Sequence, residues 1–182
     1  MHEHDETHRH VVAVVVTWRG RVGLFKRSRS VRDDAGAWHC ITGYLEPDRN
    51  PMRQAAEELW EETGLAVSHL EQLTAGPVLQ LPDLRGGQPW TVHTFTATTN
   101  RRRLTLNWEH DAYRWVRPTQ VPRFDGQVRW LADVLAATIP DQGPRTSPSP
   151  VCPAPSLSRA TVPAVVGQIA AVSGSPTASD CN

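Results

Sequence analysis

Net charge is the first thing missing from this chain of 182 residues: its 19 basic and 19 acidic side chains cancel, and the pI is about 7.1. A field without a dominant sign offers no scaffold for nucleic acid and no attraction to an anionic membrane. Cysteine is scarce too. Cys40, Cys152 and Cys181 form an odd set without paired spacing, which excludes a disulfide framework or a cysteine metal site and leaves Cys40 as a core residue. No apolar run is long enough to cross a bilayer, and the first residues lack the basic-then-apolar pattern of a secretory signal. A cytoplasmic location is the expectation.

What is present divides at about Pro140. Residues 140–182 are rich in Pro, Ser, Ala and Thr and carry only Asp141, Arg145, Arg159 and Asp180 as charges, so they read as a disordered tail. Within it, 162–172 is apolar enough for a short helix or for docking on the body. Residues 1–9, with His2, His4 and His8 among acids, read as a flexible terminus in preference to a metal tract. One domain, 10–139, remains.

Its coarse map is α/β (α+β), a mixed sheet between helices. His10 to Trp18 is a nearly unbroken Val-rich run, the pattern of a strand covered on both faces. Arg19-Gly20 turns the chain, Val22 to Arg27 returns, and Trp38 to Thr42 forms another strand. Strand-like pieces follow at Leu70 to Thr74 and Val78 to Leu81, then a hairpin turn at Arg85-Gly86-Gly87. Trp90 to Thr98, Leu104 to Asn107 and Tyr113 to Val116 complete the strands, and Gly126 to Ala137 has helical spacing at Val128, Leu131 and Leu135.

Between these lies a helix of about 13 residues, with Asn50 as its cap, Pro51 at its first position and Gly64 as its left-handed stop. Met52, Ala55, Ala56, Leu59 and Thr63 fall on the stripe that should face the body, leaving Glu58, Glu61 and Glu62 facing out. Those acids stand at i, i+3 and i+4, within an arc of about 100°. Two carboxylates roughly 6 Å apart repel by on the order of 1 kcal/mol in water and about 3 at an effective dielectric near 20. A solvated acidic face is one reading. The glycine turn at Gly43 and the stop at Gly64 favour another, a loop-helix-loop unit that places the acids on a hard cation, Mg2+ or Mn2+, completed by phosphate oxygens.

The run Gly43-x5-Arg49-x7-Glu57-Glu58-Leu59-x-Glu61-Glu62-x-Gly64-Leu65 resembles the Nudix box, matching seven of its nine fixed positions: Gly43, Glu58, Leu59, Glu61, Glu62, Gly64 and Leu65. The resemblance extends from about His10 to Ile139. It implies a Nudix-type α/β/α sandwich and hydrolysis of a diphosphate linkage in a nucleotide or nucleoside diphosphate derivative, with Mg2+ (or Mn2+) on glutamates of the box. Paired subunits, a homodimer, are frequent in the family, though no interface is readable here.

Two positions depart from the pattern: Arg49 stands where the family has Glu, and Glu57 where it has Arg. Either the two form an ion pair of reversed polarity, or Glu57 pairs with Arg53 at i,i+4 and Arg49 is free to touch substrate phosphate. Glu46 and Asp48 are nearby acids that could replace the missing carboxylate. Lys26, Arg27, Arg29 and Arg32 follow a strand and lead toward the box, so Arg27 and Arg29 are candidates for phosphate; Arg101, Arg102 and Arg103 read as hydrated. Glu109 is the acid outside the box expected to bind metal or activate water, its alternative being a loop cap. His39 and His110 are set aside as structural, while Trp90 or Trp108 could stack on a nucleobase.

The expected reaction is attack of water at phosphorus, with Glu58, Glu61 and Glu62 on the metal and Glu61, Glu62 or Glu109 taking the proton. Gly43, Glu57 and Gly64 would be structural parts of the box. Two other readings stay open: a nucleotide-binding module without turnover, motivated by Arg49 and Glu57, and an isopentenyl-diphosphate isomerase, for which Cys40 lies in an unexpected place.

Overall fold

The computed structural model describes residues 9–83 and 87–139. The expected flexible N-terminus apart from Arg9, which pairs with Asp83 at 2.7 Å, the tail from 140 onward and most of the turn at Arg85-Gly86-Gly87 lie outside the described residues.

A sheet of seven strands is built around β1 (His10–Trp18), and Val12 to Val16 are at most 1% exposed. Being covered on both faces is why that strand reads as a run of valines in place of an alternation. One edge of β1 carries β6 (Trp90–Thr99) in parallel from His10 to Thr17. The other edge is shared. β4 (Ile41–Tyr44) pairs antiparallel with Val11 to Val14, whereas β2 (Arg21–Arg27) pairs only at Thr17 and Trp18. β2 departs from β1 to hold β3 (Trp38–His39) on one side and β7 (His110–Val116) on the other. The expected strand Trp38 to Thr42 is thus two strands, broken at Cys40, that serve different partners.

β5 (Leu70–Leu81) joins the two expected pieces into one strand against β6, with a register shift between Ala75 and Val78. Pro77 cannot donate to a ladder, and Thr94 Oγ1 donates to its carbonyl at 2.6 Å. Two sequence expectations fail. Leu104 to Asn107 is not a strand; Thr105 N bonds Thr63 O at 3.0 Å, and Leu104 N bonds the Tyr113 hydroxyl at 3.2 Å, so the segment is tied to the helix and to β7. The helix α2 runs Leu131–Thr138, not from Gly126, because Trp38 N bonds Gly126 O at 2.8 Å and Val128 N bonds Trp38 O at 3.0 Å.

The helix α1 (Pro51–Thr63) covers one face of the sheet through Ala55 and Leu59, packed on Val12, Val14, Phe25, Ile41 and Phe95. α2 covers the other face through Leu131 and Val134, against Ala13, Val15, Leu24 and Cys40. This is the expected sandwich.

Candidate active site

Local rules hold α1 in place. Asn50 Oδ1 accepts from Met52 N at 2.9 Å and Arg53 N at 3.2 Å, Pro51 occupies the first turn, and Gly64 closes the helix at φ 69°. Met52, expected on the packed stripe, is exposed.

The three acids of α1 are not alike. Glu61 is exposed, Glu58 is half-buried, and Glu62 is only 2% exposed, so the outward orientation expected for all three is wrong for Glu62. At 100° per residue Glu62 lies about 20° from Ala55 around the helix, whereas Glu61 lies about 120° away. That angular difference was readable in the sequence. Glu58 lies against β4 at Gly43, where an added Cβ would stand 2.6 Å from Glu58 Cγ and closer still to its carboxyl. Gln54 Nε2 donates to Glu58 Oε1 at 2.8 Å.

These carboxylates share one electrostatic neighbourhood. Burial pushes Glu58 above its ordinary value; the Gln54 hydrogen bond opposes this, and the charges of Glu61 and Glu109 add to it. Burial pushes Glu62 well above the carboxylate range, helped by the charges of Glu58 and Glu109 and opposed by Arg27. Glu109, half-buried just before β7, is pinned through its backbone: its N donates to Asn107 Oδ1 at 3.0 Å, and its O accepts from Ser28 N at 2.7 Å. The loop after β2 and the start of β7 thereby bring Glu109 and Arg27 to the acids of α1.

Behind Glu62 stand two residues that sequence reasoning passed over. His39 and His110 are buried, with stacked rings 5.1 Å apart and Nε2 atoms 3.0 Å apart. His110 Nε2 is 3.6 Å from Glu62 Oε2, too long for a hydrogen bond, and that oxygen is buried without a partner. Burial, then the charges of His110 and Arg27, holds His39 well below its ordinary value; burial and Arg27 bring His110 down to about 4. They are 71 residues apart in the chain, and no spacing rule joins them.

Among the described residues no group of three or more His, Cys, Asp or Glu side chains is placed to hold a metal ion by itself. A hard cation completed by substrate oxygens does not require one. An orphaned, buried carboxylate oxygen flanked by further acids fits such a cation, because Arg27 only partly offsets the burial and the neighbouring negative charges.

The remaining expected residues divide. Arg27 is half-buried, and its Nε donates to Asp33 O at 2.8 Å, while Arg29 is exposed in the loop beyond. Arg49 is committed to a close ion pair with Glu57, to Glu46 at 3.1 Å and to Gln54 at 3.2 Å, and Glu57 also takes Arg53 at 3.1 Å. Both alternatives for Glu57 thus hold at once, and Arg49 is not free for phosphate. Trp90 packs with Tyr44 and under the Arg9 guanidinium on the α2 side of the sheet, away from Glu58, because strand alternation puts it on that face. Trp108 is exposed, as are Arg101, Arg102 and Arg103. Cys40 is fully buried with its thiol pushed up to about 12 by burial, so it is no nucleophile of the kind an isomerase needs.

The model of the NUDIX domain matches residues 6–137. The chain belongs to the NUDIX family. An octanoyltransferase of Myxococcus xanthus is 34% identical over 125 residues, which are 65% of this chain and 34% of that protein. A MutT-like protein of Streptomyces ambofaciens is 39% identical over 64 residues, 35% of this chain and 38% of its own length, so the chain spans little more than a third of the curated relatives it matches. In fold it is similar to the MutT NUDIX hydrolase of Burkholderia pseudomallei, with a TM-score of 0.57 and 22% identity over 70% of this chain and 95% of that one. No helix among the described residues is long and apolar enough to cross a membrane.

Proposed function

We propose that this NUDIX protein is a pyrophosphohydrolase: it cleaves a diphosphate linkage in a nucleoside di- or triphosphate, or in a nucleoside diphosphate derivative, by attack of water at phosphorus. The observation that carries this reading is the partnerless Glu62 Oε2, buried beside Glu58 and Glu109 at the end of the box helix. Glu58 and Glu62 would hold Mg2+ or Mn2+, with Glu61 at the exposed rim. A cation held there would supply charge neutralisation at phosphate oxygens and a more acidic water. Glu109, held in place by Asn107 and Ser28, takes the proton, and Arg27 meets substrate phosphate. A nucleotide substrate is supported by the fold of the NUDIX domain of Shewanella oneidensis NrtR, described as a complex with ADP ribose, which matches with a TM-score of 0.56 and 16% identity over 69% of this chain and 82% of that one.

The test is a screen of nucleotides and nucleoside diphosphate derivatives with Mg2+ or Mn2+, read by released phosphate after a coupled phosphatase. Turnover that disappears in Glu62→Gln supports the reading. A second reading, a nucleotide-binding module without turnover, is favoured by Arg49, which stands in an ion-pair network where the family carries a carboxylate. It predicts ligand-induced thermal stabilisation and no product.

A further inference from the structure

We infer that His110 is a positioning residue for Glu62, and that His39 fixes the tautomer in which it acts. The inference rests on the metal-dependent reading of the glutamates given above.

Two imidazole nitrogens 3.0 Å apart share one proton, so one ring donates and the other accepts through a lone pair. If His39 donated, the lone pair of His110 Nε2 would face Glu62 Oε2 at 3.6 Å, a repulsive contact whenever a bound cation keeps that carboxyl ionised. The His110 proton would then sit on Nδ1, which is buried and has no partner. An unpaired buried donor is the costlier defect. If His110 donates, its Nε2–H has His39 Nε2 on one side and Glu62 Oε2 on the other, and only an acceptor nitrogen is left unpaired. The second arrangement puts no lone pair against that oxygen, and it moves the His39 proton to Nδ1, which is not among the fully buried partnerless atoms of the described residues, whereas His110 Nδ1 is.

The geometry therefore aims one N–H between two acceptors, with Glu62 the more distant. Phe25 backs the His110 ring edge-on at 5.6 Å, and Trp130 meets His39 edge-on at 6.3 Å, so neither ring is free to turn away. A small shift of the Glu62 carboxylate toward His110 makes the bond and leaves its other oxygen facing Glu58 and Glu109. Removing the N–H takes from Glu62 Oε2 the donor that faces it. Partners of this kind behind a metal-binding carboxylate change metal affinity by about 10- to 100-fold when lost.

Nitrogen NMR of the imidazoles in the wild-type protein with saturating Mg2+ tests the tautomer, and Mn2+ binding followed by electron paramagnetic resonance tests the consequence. The expected results are a proton on Nε2 of His110 and on Nδ1 of His39, a Kd for Mn2+ raised about 10- to 100-fold in His110→Leu, and a value within about 3-fold of wild type in His110→Gln, which returns an amide N–H near the Nε2 position. A proton found on His110 Nδ1, or wild-type Mn2+ affinity in a folded His110→Leu, overturns the inference and leaves the hydrolase reading intact. Absence of Mn2+ binding by the wild-type protein overturns the hydrolase reading itself, and the inference with it.

Discussion

Gly43 and Glu58 are fitted to one another: the Glu58 side chain lies in the space that a Cβ on Gly43 would fill. The obstruction would be a side chain and not backbone, so an alanine there should push the carboxyl aside without breaking β4. Gly43→Ala is expected to lower activity and Mn2+ affinity by about 10- to 100-fold while changing Tm by less than about 4 °C. Parallel melts and Mn2+ titrations check it. A variant with wild-type affinity would show that Glu58 has no part in holding the ion.

Glu62 sets stability against function. Its folded-state value is raised, so whatever it contributes to stability is present below about pH 4.5, its unfolded value, and is lost as pH rises through the folded value. In chelator, Glu62→Gln should melt close to wild type at pH 4.5 and at least about 3 °C higher at pH 8, because the amide carries no buried charge. Saturating Mg2+ should narrow the gap at pH 8, and hydrolysis should be lost throughout. If Glu62→Gln were instead less stable than wild type at pH 8, the carboxylate would have to be matched by a partner other than the cation.

The parts of this site that were legible in the sequence are those set by neighbours along the chain. Asn50, Pro51 and Gly64 act within one turn of the helix they bound, and the carboxylate spacing follows from helical pitch. Contacts between distant segments were not legible. The proton shared by His39 and His110 joins positions 71 residues apart. Gly126 to Trp130 has helical spacing, yet its backbone is taken by Trp38, and Leu104 to Asn107 alternates like a strand yet is tied to Thr63 and to the Tyr113 hydroxyl and not to a strand ladder. In both segments a tertiary hydrogen bond outweighs a local pattern. Glu62 is an intermediate case, since its angle from Ala55 was available but the depth of the neighbouring strands was not.

Cys40 should be silent toward thiol reagents. It is fully buried at the break between β3 and β4, and its thiol is pushed up to about 12, so almost no thiolate exists at pH 8. In a background with Cys152→Ser and Cys181→Ser, labelling should proceed at the rate of unfolding and become fast in denaturant. Hydrolysis should be unaffected by reagent added to the folded protein. Rapid labelling of folded Cys40 with loss of activity would reopen a nucleophilic role.

The reversed charges at 49 and 57 are expected to resist a simple swap. Desolvation pushes Glu57 up, but the hydrogen bond from Arg53 and the charge and hydrogen bond of Arg49 outweigh it and hold the carboxyl below its ordinary value. A depressed folded value adds stability above about pH 4.5 that is lost as pH falls. Glu57→Gln should therefore melt slightly below wild type at pH 7 in low salt, and the difference should vanish in acid and in about 1 M salt, where the Debye length is about 3 Å. Exchanging the pair as R49E with E57R recreates one ion pair but sets two arginines at 53 and 57, four apart on α1, where like charges repel. That double variant should melt below wild type, and adding R53E should recover most of the loss. If the double variant were as stable as wild type, Arg53 would be a bystander and the polarity of the pair alone would carry the interaction.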